Sequence, residues 1–393
     1  MSGHFDLMTE HRKGPSFPIG RVVRSTFLML QTRLGSLHAF EQSKLSAPAR
    51  RWLGGEPPSA DTMARVMSGV DADELRGILQ SVFRKLKRNK GFLPLSQNRV
   101  ALVIDGHESH TSYLRCCKGC LKREVETKSG PRTQYYHRYV AAHLVGRDFT
   151  FMVDIEPQRE SDGEITAALV LYERVHKNFS RAYDVVLGDA LYSCQSFWKS
   201  VLAKGKQVIT VLKENCPTLL HESKLLMDVQ GTVAHRTIKH GYQQIRDLSG
   251  CSSWWDHDVK VRVVSCLETK TIKRQLDGKM EQVEGLNWFW VSSFSTEDIE
   301  VAAFVDLARK RWTIENEGFN NLVTNWHADH VYRHEDKAFE NFLLLTILAA
   351  NVFRIFYQRN LKPECRQKTT AKRISNLIKA GIDADATVAI DSS

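Results

Sequence analysis

Two short apolar runs, each followed by an aspartate, constrain the fold of this chain more than any other feature. Residues 100–104 (VALVI) precede Asp105, and residues 185–188 (VVLG) precede Asp189. Short runs rich in β-branched residues predict buried strands. A third acidic residue, Glu315, lies in a stretch with helical periodicity. Carboxylates at the ends of two strands and on a helix can meet at one edge of a sheet.

Three converging carboxylates predict a metal site. They repel one another unless cations neutralise them, and carboxylate oxygens prefer hard ions such as Mg²⁺ or Mn²⁺. Two such ions about 4 Å apart can hold the attacking and leaving oxygens of an in-line phosphoryl transfer. The pattern therefore predicts two-metal phosphoryl transfer, with Asp105, Asp189 and Glu315 as both metal ligands and catalytic residues.

The chain carries an excess of basic residues. Its 55 Lys and Arg exceed its 45 Asp and Glu, which gives a formal charge of +10. Lys and Arg that neutralise phosphates gain free energy from counterion release, so this balance favours a polyanionic partner. With 393 residues the chain is too long for one small core, and two or three domains are expected.

The sequence predicts neither secretion nor membrane insertion. Residues 1–21 lack the apolar core of a secretory signal. The apolar run at residues 342–356 is shorter than a bilayer span and contains Asn351 and Arg354, so it predicts a buried helix. Eight cysteines without a signal peptide favour reduced thiols. We therefore expect a cytoplasmic protein without a membrane partner.

Residues 22–93 have helical patterns, beginning with one helix predicted at residues 25–40. Ser59 follows two prolines and predicts the cap of a second helix, and Asp71 or Asp73 begins a third. Two short helices joined by a glycine-containing turn resemble a helix-turn-helix. The last helix runs into a basic stretch suited to DNA phosphates, although a solvated helix end explains it equally well. This basic stretch consists of Arg84, Lys85, Lys87 and Arg88.

Strands alternate with helices in the middle of the chain, which predicts an α/β fold. The predicted strands are residues 100–104, 136–144, 150–155, 185–187 and 208–212, and the predicted helices are residues 163–177 and 196–203. This order matches a ribonuclease H-like catalytic core with a mixed sheet.

A strand-rich stretch interrupts this core and predicts a β-rich insertion. It separates Asp189 from Glu315, and residues 296–357 are helical again. Strands are predicted in it at residues 231–239, 259–268, 270–273 and 288–293. The expected domains are a helical DNA-binding region (1–95), the first part of the core (96–215), the insertion (216–294), the C-terminal core helices (295–360) and a basic tail (361–393).

Five short motifs carry a family resemblance. They are VIDG (103–106), CCKGCL (116–121), YYH (135–137), LGDALY (187–192) and RWTIENEGFN (311–320). In this order, the motifs resemble DDE transposases of bacterial insertion sequences, in the cut-and-paste branch that carries a β-insertion in its catalytic core. The similarity spans roughly residues 55–360.

The resemblance implies a complete reaction and its partners. Asp105, Asp189 and Glu315 match the family's catalytic triad, which binds two Mg²⁺ or Mn²⁺ ions. Such enzymes cut double-stranded DNA at terminal inverted repeats and join the freed ends to target DNA. The resemblance also implies a homodimer in the DNA complex, acting in the bacterial cytoplasm at the nucleoid.

The branch has a Tyr-Arg-Glu-Lys signature, and half of it is present here. Arg311 and Glu315 match, whereas Ala308 stands at the Tyr position and Leu322 at the Lys position. In related transposases the Tyr and Lys handle DNA phosphates, so Arg311 is a DNA-binding candidate. The missing residues suggest an alternative to a full transposase, namely a catalytically impaired DNA-binding protein. A third possibility is a nuclease with the same core that cuts DNA without strand transfer.

Two further glutamates are near the predicted site in the sequence or in the family resemblance. Glu317 lies two residues after Glu315, and because a two-residue step turns a helix by about 200°, only one of them can face the aspartates. We favour Glu315, which follows Arg311 by one helical turn. Glu164 occupies a position that is acidic in similar transposases, but it is not predicted to be catalytic.

A cluster of cysteines offers a possible zinc site. Cys116, Cys117 and Cys120 precede His137 and His143, and Zn²⁺ prefers tetrahedral sets of Cys and His. The histidines lack a standard spacing and lie on a predicted strand, so reduced, partly buried cysteines are the favoured interpretation.

Tryptophans in the insertion are candidates for DNA contacts. Trp288 and Trp290, like Trp254 and Trp255, could stack on an unpaired or flipped base. The alternative is that they pack in the core of the insertion.

Overall fold

A ten-stranded mixed sheet forms the centre of the protein. The computed structural model describes residues 2–229, 232–254, 260–273 and 280–383. Its strands are β1 Ala101–Ser112, β2 Leu121–Thr127, β3 Gly130–Val145, β4 Thr150–Pro157, β5 Val185–Gly188, β6 Gln207–Val211, β7 Thr232–Ile238, β8 Gly241–Cys251, β9 Val261–Lys273 and β10 Met280–Ser292.

Helices precede, interrupt and follow the strands. Those before the sheet are α1 Ser2–Asp6, α2 Ile19–Thr32, α3 Leu37–Glu41, α4 Ala47–Leu53, α5 Ala60–Met67 and α6 Ala72–Arg88. Those that follow are α7 Glu164–Phe179, α8 Gln195–Leu202, α9 Pro217–Val229, α10 Val301–Ala308, α11 Asn320–Trp326, α12 Asp336–Ile355, α13 Pro363–Lys368 and α14 Ala371–Ile382. A π-helical turn, Ile314–Phe319, leads into α11.

The strand order places two predicted site residues at the same edge of the sheet. The order is β2-β3-β1-β5-β6-β10-β9-β8-β7, and β4 also pairs with β3. β1 is parallel to β5, and Val103 pairs with Leu187 at the end of their shared register. Asp105 and Asp189 each follow that last pair by two residues. The parallel pairing therefore brings the two aspartates to neighbouring positions, as the sequence predicts.

β1 is longer than predicted. Asp105 does not end the strand, because β1 continues to Ser112 while remaining paired with β3. Only the pairing with β5 stops before Asp105. The prediction of a strand end at residue 104 is therefore wrong, although Asp105 does lie where the parallel part of the sheet ends.

The strands of residues 216–294 continue the central sheet. β10 pairs antiparallel with β6, and β9, β8 and β7 follow outward. The stretch also holds features that the sequence reading did not predict. It begins with helix α9, it includes strand β8, and the two strands predicted at residues 259–268 and 270–273 are one strand, β9. β8 is rich in Gln, Arg, Asp and Gly, so it lacked an apolar pattern.

The helices before the sheet begin largely where capping residues predict. The Ser59 side chain accepts a hydrogen bond from the Thr62 amide, and Asp71 accepts one from the Asp73 amide. The single helix predicted at residues 25–40 is wrong. α2 already starts at Ile19 and ends at Thr32, because Arg33 adopts a left-handed conformation with a φ of 54°.

Helix α12 is the central helix of the core. With the π-helical turn that follows it, α12 is long and apolar enough to cross a bilayer, yet most of it is buried inside the protein. α2, α5, α6 and β4 pack against it. The prediction of a buried helix in this apolar run is confirmed.

Buried polar contacts fix α5 and α6 to this core. Asp154 of β4 accepts hydrogen bonds from Arg76 of α6 (2.8 Å) and Arg174 of α7 (2.6 Å). The Asn341 amide of α12 donates to the carbonyls of Met67 and Val70, at the turn between α5 and α6. The helix pair is therefore held firmly against the sheet and α12.

Candidate active site

Asp105 lies on β1, and Asp189 directly follows the neighbouring parallel strand β5. Asp105 is 9% exposed within β1. Asp189 follows β5 and caps a short turn, where its Oδ1 accepts a hydrogen bond from the Leu191 amide (2.8 Å). Gly188 lets this turn close tightly, since a Cβ there would lie 2.7 Å from the Tyr192 Cβ. The local chain thus fixes both carboxylates at the sheet edge.

Arg311 joins the first aspartate to the predicted glutamate. Its Nη1 donates to Oδ2 of Asp105 at 3.2 Å and to Oε1 of Glu315 at 2.7 Å. The Arg311 side chain is buried, whereas the Glu315 side chain is 44% exposed. A single guanidinium therefore holds carboxylates from the sheet and from the π-helical turn together.

The electrostatics of Asp105 show how crowded this cluster is. Its pKa is raised to about 7, first by burial and then by the negative charges of Asp189 and Glu315, while the Arg311 guanidinium acts to lower it. Carboxylates shift one another in this way only at short range. Asp189 and Glu315 are thus close enough to Asp105 for their charges to act on its carboxyl group.

The donor set fits hard divalent cations. Asp105, Asp189 and Glu315 offer carboxylate oxygens only, which are the ligands that Mg²⁺ and Mn²⁺ prefer. When all three carboxyl groups are ionised, they carry three negative charges against the single positive charge of Arg311, so the cluster can accept further positive charge. Because Asp189 and Glu315 are partly exposed, ions and a substrate can reach it.

The π-helical turn separates the two competing glutamates. Glu317 accepts a hydrogen bond from Thr150 (3.1 Å) and pairs with Arg354 of α12 (3.0 Å). It thus lies towards β4 and α12, whereas Glu315 lies with Arg311 and Asp105. π-Helical turns inside α-helical segments are frequent at functional sites.

Glu164 is a fourth carboxylate beside the cluster, and the sequence reading gave it no role. It is buried in the first turn of α7, where Tyr192 donates to its Oε1 at 2.8 Å and Arg138 forms an ion pair with it. Burial raises the pKa of Tyr192 well above its usual value, and the neighbouring Glu164 charge adds to this. The sequence signal for Glu164 was an acidic residue at the start of a predicted helix.

Gly106 allows this fourth carboxylate to approach. A Cβ at Gly106 would lie 2.6 Å from Cδ and Oε2 of Glu164. Glycine is therefore needed immediately after Asp105 for steric reasons, since the Gly106 φ is not positive.

The two departures from the signature are core residues. Ala308 ends α10 and Leu322 lies in α11, and both side chains are buried. The two positions where the resemblance implies Tyr and Lys thus contribute packing here. Arg311, the DNA-binding candidate of this segment, is buried inside the carboxylate cluster.

The basic stretch on α6 is open to solvent. Phe83 and Leu86 face the core, while the four basic side chains are exposed. Lys87 also donates a hydrogen bond to the Arg181 carbonyl. The exposed residues are Arg84, Lys85, Lys87 and Arg88.

The tryptophans of the insertion are mainly packing residues. Trp290 is 1% exposed, so its ring has no free face for a base, and the stacking prediction is wrong for it in this conformation. Trp254 is buried edge-on against Trp198 at 4.7 Å. Trp288 is half-buried against Trp312, the residue after Arg311. Trp255 lies outside the described residues.

The cysteine cluster assembles with one of the two histidines considered from the sequence and with a second histidine that was not predicted. Cys117 and Cys120 lie beside His137, and His334 completes the group. Cys116 is exposed, and His143 is buried beside Gly318 of the π-helical turn. Sequence reasoning missed His334 because it lies far along the chain.

Comparison with known proteins finds a family match over most of the chain. A family model described as "Transposase DDE domain" matches residues 97–352, which is more than half of the 393 residues. The match covers every residue of the carboxylate cluster. No curated protein matches the chain in sequence.

Proposed function

The chain belongs to the transposase DDE domain family, and on that premise we propose that it cuts DNA at the ends of a bacterial insertion sequence and joins them to target DNA. The family acts on DNA and normally uses divalent metal ions. The observation that carries the proposal is the convergence of three carboxylates, in which Arg311 bridges Asp105 and Glu315 while Asp189 lies beside Asp105 at the end of the neighbouring parallel strand.

The three carboxylates would hold two divalent ions, Mg²⁺ or Mn²⁺. When bound, such ions activate the attacking oxygen and stabilise the leaving 3′ oxygen of a phosphodiester. Asp105 and Asp189 are held by the sheet, and Glu315 reaches them from the π-helical turn. Arg311 orients two of these ligands through its shared Nη1.

The residues around the cluster have positioning roles in this proposal. Tyr192 and Arg138 hold Glu164 in place behind Gly106. Trp288 packs on Trp312 and so connects the strand-rich insertion to the segment that carries Arg311 and Glu315. A displacement of the insertion would therefore move the segment that carries Arg311 and Glu315.

DNA would be bound by the helices before the sheet. The α5–α6 pair would read the terminal inverted repeats, and the exposed basic stretch of α6 would contact phosphates. Two protomers would hold the two DNA ends together, at the nucleoid in the bacterial cytoplasm. The parallel strands β1, β5 and β6, flanked by antiparallel β3 and β4, support a ribonuclease H-like core.

Buried Ala308 and Leu322 favour a second candidate. Without the Tyr and Lys of the signature, the protein could bind element ends without cutting them. A nuclease that cuts but does not join is a third possibility with the same carboxylate cluster.

One experiment separates these functions. The purified full chain is incubated with Mg²⁺ and a labelled duplex ending in the inverted repeat that flanks its own gene. A transposase nicks the end and joins it to target DNA, and Asp105→Asn or Asp189→Asn abolishes nicking but keeps binding. Asp148→Asn, an exposed aspartate between β3 and β4, is the matched control and stays active.

Two outcomes would overturn the proposal. Binding without any nick would support the impaired DNA-binding protein, and nicking without joining would support the nuclease. Unchanged nicking by Asp105→Asn would refute the assignment of the metal ligands.

A further inference from the structure

Four side chains that are typical zinc ligands converge away from the carboxylate cluster. They are Cys117, Cys120, His137 and His334, and their ligand atoms all lie within 4.8 Å of one another. The two Sγ atoms are 3.7 Å apart. Each Sγ lies 3.4 Å from Nε2 of His137.

The separations among the Cys117, Cys120 and His137 ligand atoms are close to those of a tetrahedral zinc site. With Zn–S near 2.3 Å and Zn–N near 2.0–2.1 Å, tetrahedral angles place two sulfurs about 3.8 Å apart and a sulfur and a nitrogen about 3.6 Å apart. A disulfide would need about 2.05 Å between the sulfurs, so Cys117 and Cys120 are not bonded to each other.

We propose that Cys117, Cys120, His137 and His334 bind a structural Zn²⁺ ion that ties the β1–β3 region to the segment between α11 and α12. Four protein ligands leave no open position, which is typical of structural and not catalytic zinc. Thiolate and imidazole ligands also select zinc over the hard ions expected at Asp105.

The turn that carries the two cysteines is shaped for this role. The Cys120 amide donates to the Cys117 carbonyl at 3.1 Å, and the Cys117 amide donates to Sγ of Cys120 at 3.3 Å. An amide donor to sulfur stabilises the thiolate that a metal requires. Gly119 lies so close to Asp336 that a Cβ would meet its Oδ1 at 1.8 Å. The turn is thus pressed against the start of α12.

The two histidines come from different parts of the fold, and α12 lies next to both of them. His137 is buried on β3, and its ring stacks on Phe339 of α12 with centroids 4.5 Å apart. His334 lies just before α12, and its Nδ1 is shielded from solvent without a hydrogen-bond partner within the described part of the chain. A bound zinc ion would account for a buried ring nitrogen of this kind.

The position of the site explains what the ion would do. Cys117 and Cys120 follow β1, which carries Asp105. His334 follows α11 and the π-helical turn that carries Glu315. The zinc would therefore fasten together the two parts of the chain that supply opposite sides of the carboxylate cluster. This inference does not depend on the proposed function.

Metal analysis of the full chain tests the proposal. Protein produced with added zinc and passed over a gel-filtration column should retain one equivalent, measured by inductively coupled plasma mass spectrometry. Cys120→Ser and His334→Ala should each lose at least about tenfold in zinc affinity. Cys116→Ser is the matched control, because this neighbouring thiol is exposed outside the cluster. Asp105→Asn should also keep its zinc, which separates this site from the carboxylates.

Cobalt provides a readout that does not require a destabilised variant. Co²⁺-loaded wild-type protein should show the strong visible absorption of tetrahedral cobalt and a thiolate charge-transfer band. His334→Cys should retain the ion and intensify that band. Folded wild-type protein that binds neither zinc nor cobalt would overturn the proposal. So would zinc loss from Cys116→Ser equal to that from Cys120→Ser, or loss caused by Asp105→Asn.

Discussion

Arg311 donates a hydrogen bond to Asp105 across 3.2 Å, although 206 residues separate them in the chain. Both side chains are almost entirely removed from solvent. The contact is therefore an internal counterion for the most buried carboxylate of the cluster. The contact also requires two distant parts of the chain to be correctly placed, so losing it would indicate that the site is not assembled.

Removing this counterion should destabilise the protein in a pH-dependent way. Arg311→Gln is expected to lower the free energy of unfolding by about 3 kcal/mol at pH 8, because it leaves buried negative charge unpaired. The loss should be smaller at pH 5, where Asp105, with its pKa near 7, is protonated. Urea unfolding at both pH values in EDTA checks this. Equal losses at the two values would contradict it.

Ionisation of Asp105 should lower the free energy of unfolding of the protein as the pH rises. Its folded pKa is raised from 3.8 to about 7, so the folded state holds the proton more tightly than the unfolded state. Its contribution is most favourable below about pH 4 and is lost as pH rises through 7. Asp105→Asn should therefore be more stable than wild type by roughly 1–3 kcal/mol at pH 8 and nearly equal at pH 4.

The measurement for Asp105→Asn is chemical denaturation in EDTA at these two pH values. Added Mg²⁺ should raise the stability of the wild type more than that of the variant, because ligand binding to the folded state stabilises it. A variant that is less stable than wild type at pH 8 would refute the raised pKa.

The two glutamates of the π-helical turn form a matched pair for mutagenesis. Glu315→Gln should reduce nicking by more than about a hundredfold, since it removes a charged ligand from the cluster. Glu317→Gln should keep nicking near the wild-type rate and lose about 1 kcal/mol of stability, because it removes only the partly exposed ion pair with Arg354. Initial rates on a labelled element end, with thermal unfolding of both variants, decide it. The reverse pattern would assign the site to Glu317.

The sequence predicts the parts of the site that depend on local structure. β5 is a short buried strand, so the position of Asp189 follows from the chain around it. The transposase resemblance also rests on short motifs, and the family match supports it. Ser59 and Asp71 mark helix starts because capping is a contact between near neighbours.

Features set by distant contacts could not be predicted. β1 runs past Asp105 because β3 continues to pair with it, and the apolar pattern had ended by then. Trp290 is buried because β10 joins β6 in the central sheet, which no local pattern reveals. His334 joins Cys117 only through the packing of α12 on the cysteine turn.

Gly106 and Glu164 should be coupled. Gly106→Ala is expected to cost about 1–3 kcal/mol, since its Cβ would overlap the Glu164 carboxyl group. Glu164→Ala removes that carboxyl group, so the double variant should lose less stability than the two single losses combined. A double-mutant cycle from urea unfolding measures the coupling. Additive losses would show that the two residues do not meet as described.

The basic stretch of α6 should govern the salt dependence of DNA binding. Each phosphate contact contributes about 0.9 to the slope of log affinity against log salt concentration. Replacing Lys85 and Arg88 by Gln should therefore reduce that slope by about 1.8 if both contact phosphates. Lys204→Gln is the control, because Lys204 is already paired with Glu173 and should leave the slope unchanged. Fluorescence anisotropy with a labelled element end at several salt concentrations gives both slopes, and an unchanged slope in the double variant would exclude these residues from the DNA interface.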